Sequence, residues 1–98
     1  MKPLSVTLNN AAWDFYILGT KNENHLLKAI SWCRRSLAIE PSYYSYDTYA
    51  HLLYRLNMYE EAKYMQSKAI QKAKEKKLNP TKIKDLIKTL NHIKTHSL

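Results

Sequence analysis

Residues 43–62 read YYSYDTYAHLLYRLNMYEEA, and the fold turns on this stretch. Tyr46, Tyr49, Ala50, Leu53 and Leu56 recur at steps of three and four, which places them on one face of an α-helix. Ser42 stands ahead of them as a capping side chain and Asn57 behind them as a left-handed terminator. The helical pattern restarts at once, at Tyr59, so the segment reads as one helix, a tight turn and a second helix.

Outward from that hairpin the chain predicts five helices, at about Leu8–Leu18, His25–Ile39, Tyr43–Leu56, Tyr59–Lys77 and Pro80–Lys94. Gly19 is a left-handed stop for the first, and Asn24 is the expected cap of the second. Pro41 closes the second helix, because the residue before proline is pushed out of the helical region. Asn79-Pro80 opens the last, a cap followed by a residue that needs no N–H partner there. Its stripe of Ile83, Leu86, Ile87, Leu90 and Ile93 requires a surface to cover, and the helix reads as a lid.

The first hairpin maps on the second at a shift of 33 residues. Trp13 falls on Tyr46, Asp14 on Asp47, Tyr16 on Tyr49, Ile17 on Ala50, Ala29 on Ala62, Ser36 on Ala69 and Leu37 on Ile70. Size class and helical phase are kept more than identity. Small residues at 29 and 62 suit close crossings of antiparallel helices.

Composition narrows the classes further. The 98 residues include one Gly, three Pro and one Cys, too little turn chemistry for a sandwich, a barrel or a Gly-rich phosphate loop. No apolar run approaches the roughly 18–20 residues of a membrane span, and the N-terminus lacks a signal-peptide pattern. The net charge of +8 is one-sided: residues 1–62 balance six Lys/Arg against six Asp/Glu, and residues 63–98 carry ten Lys against Glu75 and Asp85. Such a lysine-rich end either solvates outer helix faces or attracts an acidic partner. The absence of Arg among these ten weighs against base-reading nucleic-acid contacts. Cys33, alone and on an apolar face, reads as a buried thiol compatible with a reducing compartment such as the cytoplasm. His92 and His96 are spaced to share a helix face but lack a third metal ligand. No paired carboxylates, serine elbow or P-loop appears, so no catalytic, cofactor or metal residues are nominated.

With Trp13, Tyr16, Ile17, Ala29 and Pro41 in one unit, and Tyr46, Tyr49, Ala50, Leu53, Tyr59, Ala62, Ala69 and Ile70 in the next, the chain resembles the tetratricopeptide repeat family. The resemblance covers about 10–77. Departures are Thr20, Cys33 and Gln66 in place of aromatics, Ile17 in place of a small residue, and Lys74 in place of the second closing proline. It implies an all-α superhelix in one domain: repeat 1 at about 10–42, repeat 2 at about 43–77, and a capping helix at about 80–95. The segments 8–13 and 47–50 also look like the helical tail of bacterial thioredoxin-like proteins, so the domain can belong to a larger polypeptide.

In the tetratricopeptide family the first helix of each pair lines a concave groove that binds peptides. Carried over by position, that groove would present Asp14, Leu18, Tyr44, Asp47, His51, Tyr54 and Arg55, joined by Lys84 and Lys88 if the fifth helix packs as another lining helix. The implied function is non-enzymatic: a scaffold or peptide-recognition module whose tyrosines anchor the guest and whose lysines favour an acidic one. The alternatives are nucleic-acid binding through Lys63–Lys88 and a structural domain supporting a neighbouring catalytic unit. The apolar ends of a two-repeat stack also allow a homodimer.

Overall fold

The computed structural model describes residues 2–98, and among them the only regular elements are five helices: α1 (Leu4–Ile17), α2 (Glu23–Ile39), α3 (Tyr43–Arg55), α4 (Tyr59–Glu75) and α5 (Pro80–Lys94). The chain is all-α. Helices α1 and α2 form one hairpin and α3 and α4 a second; α3 packs on both helices of the first hairpin, and α5 covers α4. The body measures 38 × 35 × 19 Å, a slab about two helices thick.

The turns follow from local chemistry. Gly19 at φ 71° and Asn57 at φ 63° stop α1 and α3 as expected. At Asn57 the backbone closes in a Schellman motif: Asn57 N–H donates to the Tyr54 carbonyl at 2.9 Å and Met58 N–H to the Leu53 carbonyl at 2.9 Å. Lys77 and His96 close α4 and α5 in the same way, at φ 55° and 54°. Lysine does not advertise a left-handed position, so the sequence reading carries α4 through Lys77, two residues past its end at Glu75. Ser42 caps α3 through Ser45 N–H, and Asn79 caps α5 through Lys82 N–H.

Two helix starts also differ from the sequence reading. Asn22, not Asn24, caps α2, accepting from the N–H groups of Asn24 and His25; Thr20 Oγ1 in turn accepts from Asn22 N–H at 3.2 Å, and this turn role accounts for Thr20 in place of an aromatic. Helix α1 begins four residues early, at Leu4. Its first turn is weak by propensity but is held from outside: Ser36 Oγ lies 2.7 Å from the Ser5 carbonyl and 2.7 Å from Ser45 Oγ. Ser36 has one proton and gives it to the carbonyl, so Ser45 must donate to Ser36. This buried chain of donors ties α1, α2 and α3 together where the two hairpins meet.

The core joins Ala12 of α1 with Leu26, Ala29, Ile30 and Cys33 of α2, Tyr49, Ala50, Leu52 and Leu53 of α3, Ala62 of α4 and Ile93 of α5. Ala12, Ala29, Ala50, Ala62 and Ala69 have no exposed surface, so the helices cross with nothing larger than a methyl group at these points. Ile17, which falls on the buried Ala50 at the 33-residue shift, is the last residue of α1 and is exposed. Gln66 occupies an aromatic position because it serves another purpose: fully buried, it donates from Nε2 to the Leu86 carbonyl at 3.0 Å and links α4 to α5. On α5, Leu86 and Ile93 are buried and Ile83 and Leu90 partly so, whereas Ile87 faces outward.

Cys33 has no exposed surface, and burial pushes its thiol from the ordinary 9.0 up to about 12. A thiol held protonated and out of reach is a poor nucleophile. Iodoacetamide at about pH 8 should therefore label the folded chain slowly, and labelling should accelerate with urea in step with unfolding. Because the folded value lies above the unfolded one, this group costs no stability below about pH 9 and progressively destabilises the fold as pH rises toward 12. Labelling of the native chain at the rate of a free thiol would contradict this placement.

Candidate functional site

Helices α1 and α3 and the start of α5 border a hollow of about 280 Å³ lined by Asn9, Asn10 and Trp13 of α1, Tyr43, Tyr44, Asp47 and Thr48 of α3, and Lys82 of α5. Trp13 forms its aromatic wall, with one face stacked on Tyr16 at 4.9 Å between centroids. Tyr43 and Tyr44 stand edge to face at 5.4 Å, and the Lys82 ammonium lies 5.7 Å from the centre of the Tyr43 ring. Thr48 turns its hydroxyl back to the Tyr44 carbonyl at 3.0 Å.

A second hollow, of about 310 Å³ and mostly apolar, lies beyond the same two tyrosines. Glu40, Pro41, Ser42, Lys72, Lys76 and Leu78 complete its wall. Lys72 is paired with Glu75 at 3.3 Å, and the Lys76 side chain is exposed. Tyr43 and Tyr44 thus form a ridge between two depressions, the first with Asp47 and Lys82 in its lining and the second with Glu40, Lys72 and Lys76.

Of the nine residues expected to line a groove, Tyr44 and Asp47 stand in this hollow. Asp14 and Leu18 are exposed on α1 and at its end, and border none of the depressions described here. His51 is 8% exposed: its ring sits edge-on to Trp13 at 5.1 Å and to Tyr16 at 4.9 Å, and Nδ1 bonds the Asp47 carbonyl oxygen at 2.7 Å. It packs between α1 and α3 and borders none of the depressions described here. Arg55 is likewise committed, donating from Nη1 to the Tyr16 carbonyl at 2.6 Å with its guanidinium 4.0 Å from the Tyr16 ring centre. Tyr54 packs edge-on against Tyr59 at 5.3 Å, and its hydroxyl accepts from Leu98 N–H at 3.3 Å. Lys84 is exposed and, two residues from Lys82, turns to nearly the opposite side of α5. Lys88 borders a shallow depression with Asn91, His92, Thr95 and Ser97.

No protein-family model, curated protein or solved structure matches this chain.

The hollow's remaining residues, Asn9, Asn10, Trp13, Tyr43, Thr48 and Lys82, were not in the expected set. Asn9 and Asn10 lie in the first turns of α1, a stretch placed at the very edge of the predicted helix, and the register of α1 against α3 is set by the Ser36 contact rather than by any local pattern. Tyr43 stands beside Tyr44 in the tyrosine-rich stretch 43–54, which is the one sequence signal that points to it. Among the described residues no helix is long and apolar enough to cross a membrane.

Proposed function

We propose that this chain is a protein-interaction module that holds an extended segment of a partner across the Tyr43–Tyr44 ridge. The observation that carries this reading is the pair of adjoining hollows that share those two rings. Aromatic side chains with a polar tip supply contact area at low entropic cost, and they anchor many protein interfaces. The guest's backbone would lie along the ridge, with one side chain in the Asp47 hollow and the next, an apolar one, in the mostly apolar second hollow.

The tetratricopeptide-like stacking is part of the same proposal. Its supports are the 33-residue recurrence, the buried alanines at the crossings, and α3 resting on both helices of the preceding hairpin. In such a stack α1, α3 and the start of α5 line one side, and it is on that side that the first hollow opens.

The test is selection of displayed peptides on the folded 98-residue chain, followed by affinity measurement on Tyr44→Ala. Tyr44 is outside the buried core, so the variant should keep its circular dichroism. An anchor ring of this kind contributes about 2 kcal/mol or more, so affinity should fall about 30-fold. Equal affinity for the selected peptides would remove the ridge as their binding surface.

A further inference from the structure

The first hairpin carries an apolar face on the side of α1 turned away from α3. Leu4, Leu8, Ala11, Phe15 and Leu18 recur along α1 and its end at steps of three and four and form one stripe. Trp13, which meets His51 of α3, is two residues from Ala11 and so lies on the opposite side of the helix. On α2, Trp32 and Ile39 stand two turns apart on the edge beside that stripe, and the Phe15 ring centre is 5.2 Å from that of Trp32 and 5.8 Å from that of His25. Leu18 is 78% exposed, Leu4 52% and Ile39 50%, whereas Leu8, Phe15 and Trp32 are half-buried. At the 33-residue shift Phe15 and Leu18 fall on Thr48 and His51, both buried, the latter against α1. The positions that one hairpin covers on α3 are thus bare on α1, and more apolar there. A contiguous apolar patch of this kind marks an interface.

We infer that this face pairs with the same face of a second copy of the chain, about a two-fold axis parallel to the helices. Phe15 lies beside His25 and Trp32, and the Ser5 carbonyl meets Ser36, so Asp14 on α1 is level with Lys28 on α2, and Leu4 with Ile39. Such an axis lays α1 of each copy antiparallel on α2 of the other at these same levels, as in a four-helix bundle. Asp14 then stands opposite Lys28 of the other copy and Leu4 opposite Ile39, each pair formed twice. Asp14 and Lys28 are exposed, and neither has an ion-pair partner among the described residues. The charge distribution favours the same pairing. Residues 1–42 hold five Lys/Arg against three Asp/Glu, and the +8 excess lies in residues 63–98. Joining the first hairpins leaves α4 and α5, with their lysines, at the outer ends of the pair. Helices of about 21 and 25 Å lying about 10 Å apart present on the order of 500 Å² in plan and more in accessible area, close to the roughly 600 Å² a side of the smaller specific interfaces. The pair is accordingly a weak one, in the micromolar range. Because Trp13 and the Tyr43–Tyr44 ridge lie on the other side of α1, this inference does not rest on the peptide-binding reading.

The experiment is sedimentation equilibrium of the full chain from about 1 μM to about 1 mM. The weight-average mass should rise from 11.6 kDa and level off at twice that value. Leu18→Lys should weaken the pairing about 30-fold or more, because symmetry counts each lost contact twice. Asp14→Lys should weaken it about tenfold, and the double variant Asp14→Lys, Lys28→Asp should restore it. All these side chains are exposed, so circular dichroism should be unchanged. Ile87→Lys, at the other end of the stack, should pair as the native chain does. A mass that stays at 11.6 kDa throughout overturns the inference and leaves the face to a helix of another protein. A mass that climbs past twice that value without levelling overturns it in favour of head-to-tail chains, and failure of the Lys28→Asp rescue overturns the axis. If displayed peptides bind through Tyr44 while the chain stays monomeric, this inference fails and the interaction module stands. If the chain pairs and no peptide binds, the pairing stands and the module reading fails.

Discussion

Leu53→Ala should lower stability by about 2–5 kcal/mol, a large share of the roughly 5–15 kcal/mol available to a domain of this size. Leu53 is 2% exposed and belongs to the core that joins all five helices. Truncation removes its transfer free energy and leaves a cavity that α3 cannot collapse into, because α3 is held on several sides: residues 48–53 are buried without interruption. The transition midpoint should fall by on the order of 10–30 °C. In urea the midpoint should fall with the slope unchanged, since the surface exposed on unfolding is nearly the same. Ile87→Ala is the control. It belongs to an equally regular apolar stripe but is 38% exposed, and should cost about 1 kcal/mol or less. Similar losses for the two variants would mean that α3 is not the hub of the packing.

That contrast marks how far the sequence could be read. Helix existence was legible everywhere, because periodicity, Ser42, Asn57, Pro41 and Asn79-Pro80 all point the same way. Burial was legible where two signals agreed, as at Ala29 and Ala62. It was not legible at Ile87, where a clean stripe is wider than the surface it covers. The site was harder. Position-by-position transfer of a groove puts Tyr44, Asp47, His51 and Arg55 on one face; the structure sets Tyr44 and Asp47 at the hollow and packs His51 and Arg55 against α1. Helical phase fixes the side of α3 on which a residue lies, but not how closely α1 approaches that side. The approach of α1 depends on Ser36 reaching the Ser5 carbonyl 31 residues away, and on aromatic packing of Trp13 and Tyr16 against His51. Both are long-range contacts with no local signature. The departures from the repeat pattern proved informative: Gln66 and Thr20 each replace an aromatic and each has a hydrogen-bonding role in the observed structure.

Arg55→Ala is expected to destabilise the fold by about 2–4 kcal/mol, even though the residue lies near the protein surface at the end of α3. Two contacts are lost together. The guanidinium donates at 2.6 Å to the Tyr16 carbonyl, in the last turn of α1, where the helix dipole is negative and where the same oxygen also accepts from Gly19 N–H at 3.0 Å. It also covers the Tyr16 ring at 4.0 Å, while His51 meets that ring edge-on. An exposed ion pair would contribute far less; here the acceptor is a carbonyl between two packed helices, and salt should weaken the contact only slightly. Arg55→Lys should recover only part of the loss, because a single ammonium cannot both meet the carbonyl and lie flat on the ring. Combining Arg55→Ala with Tyr16→Leu in a double-mutant cycle should isolate a ring contribution of about 0.5–2 kcal/mol. The consequence for binding is indirect. Arg55 fixes the end of α1 against α3, and Trp13, one turn earlier, forms the wall of the hollow, so loosening that end should weaken any guest held beside Trp13. Thermal and urea unfolding of Arg55→Ala decide the matter: stability equal to that of the native chain would show the guanidinium to be free, and would return Arg55 to the surface available to a partner.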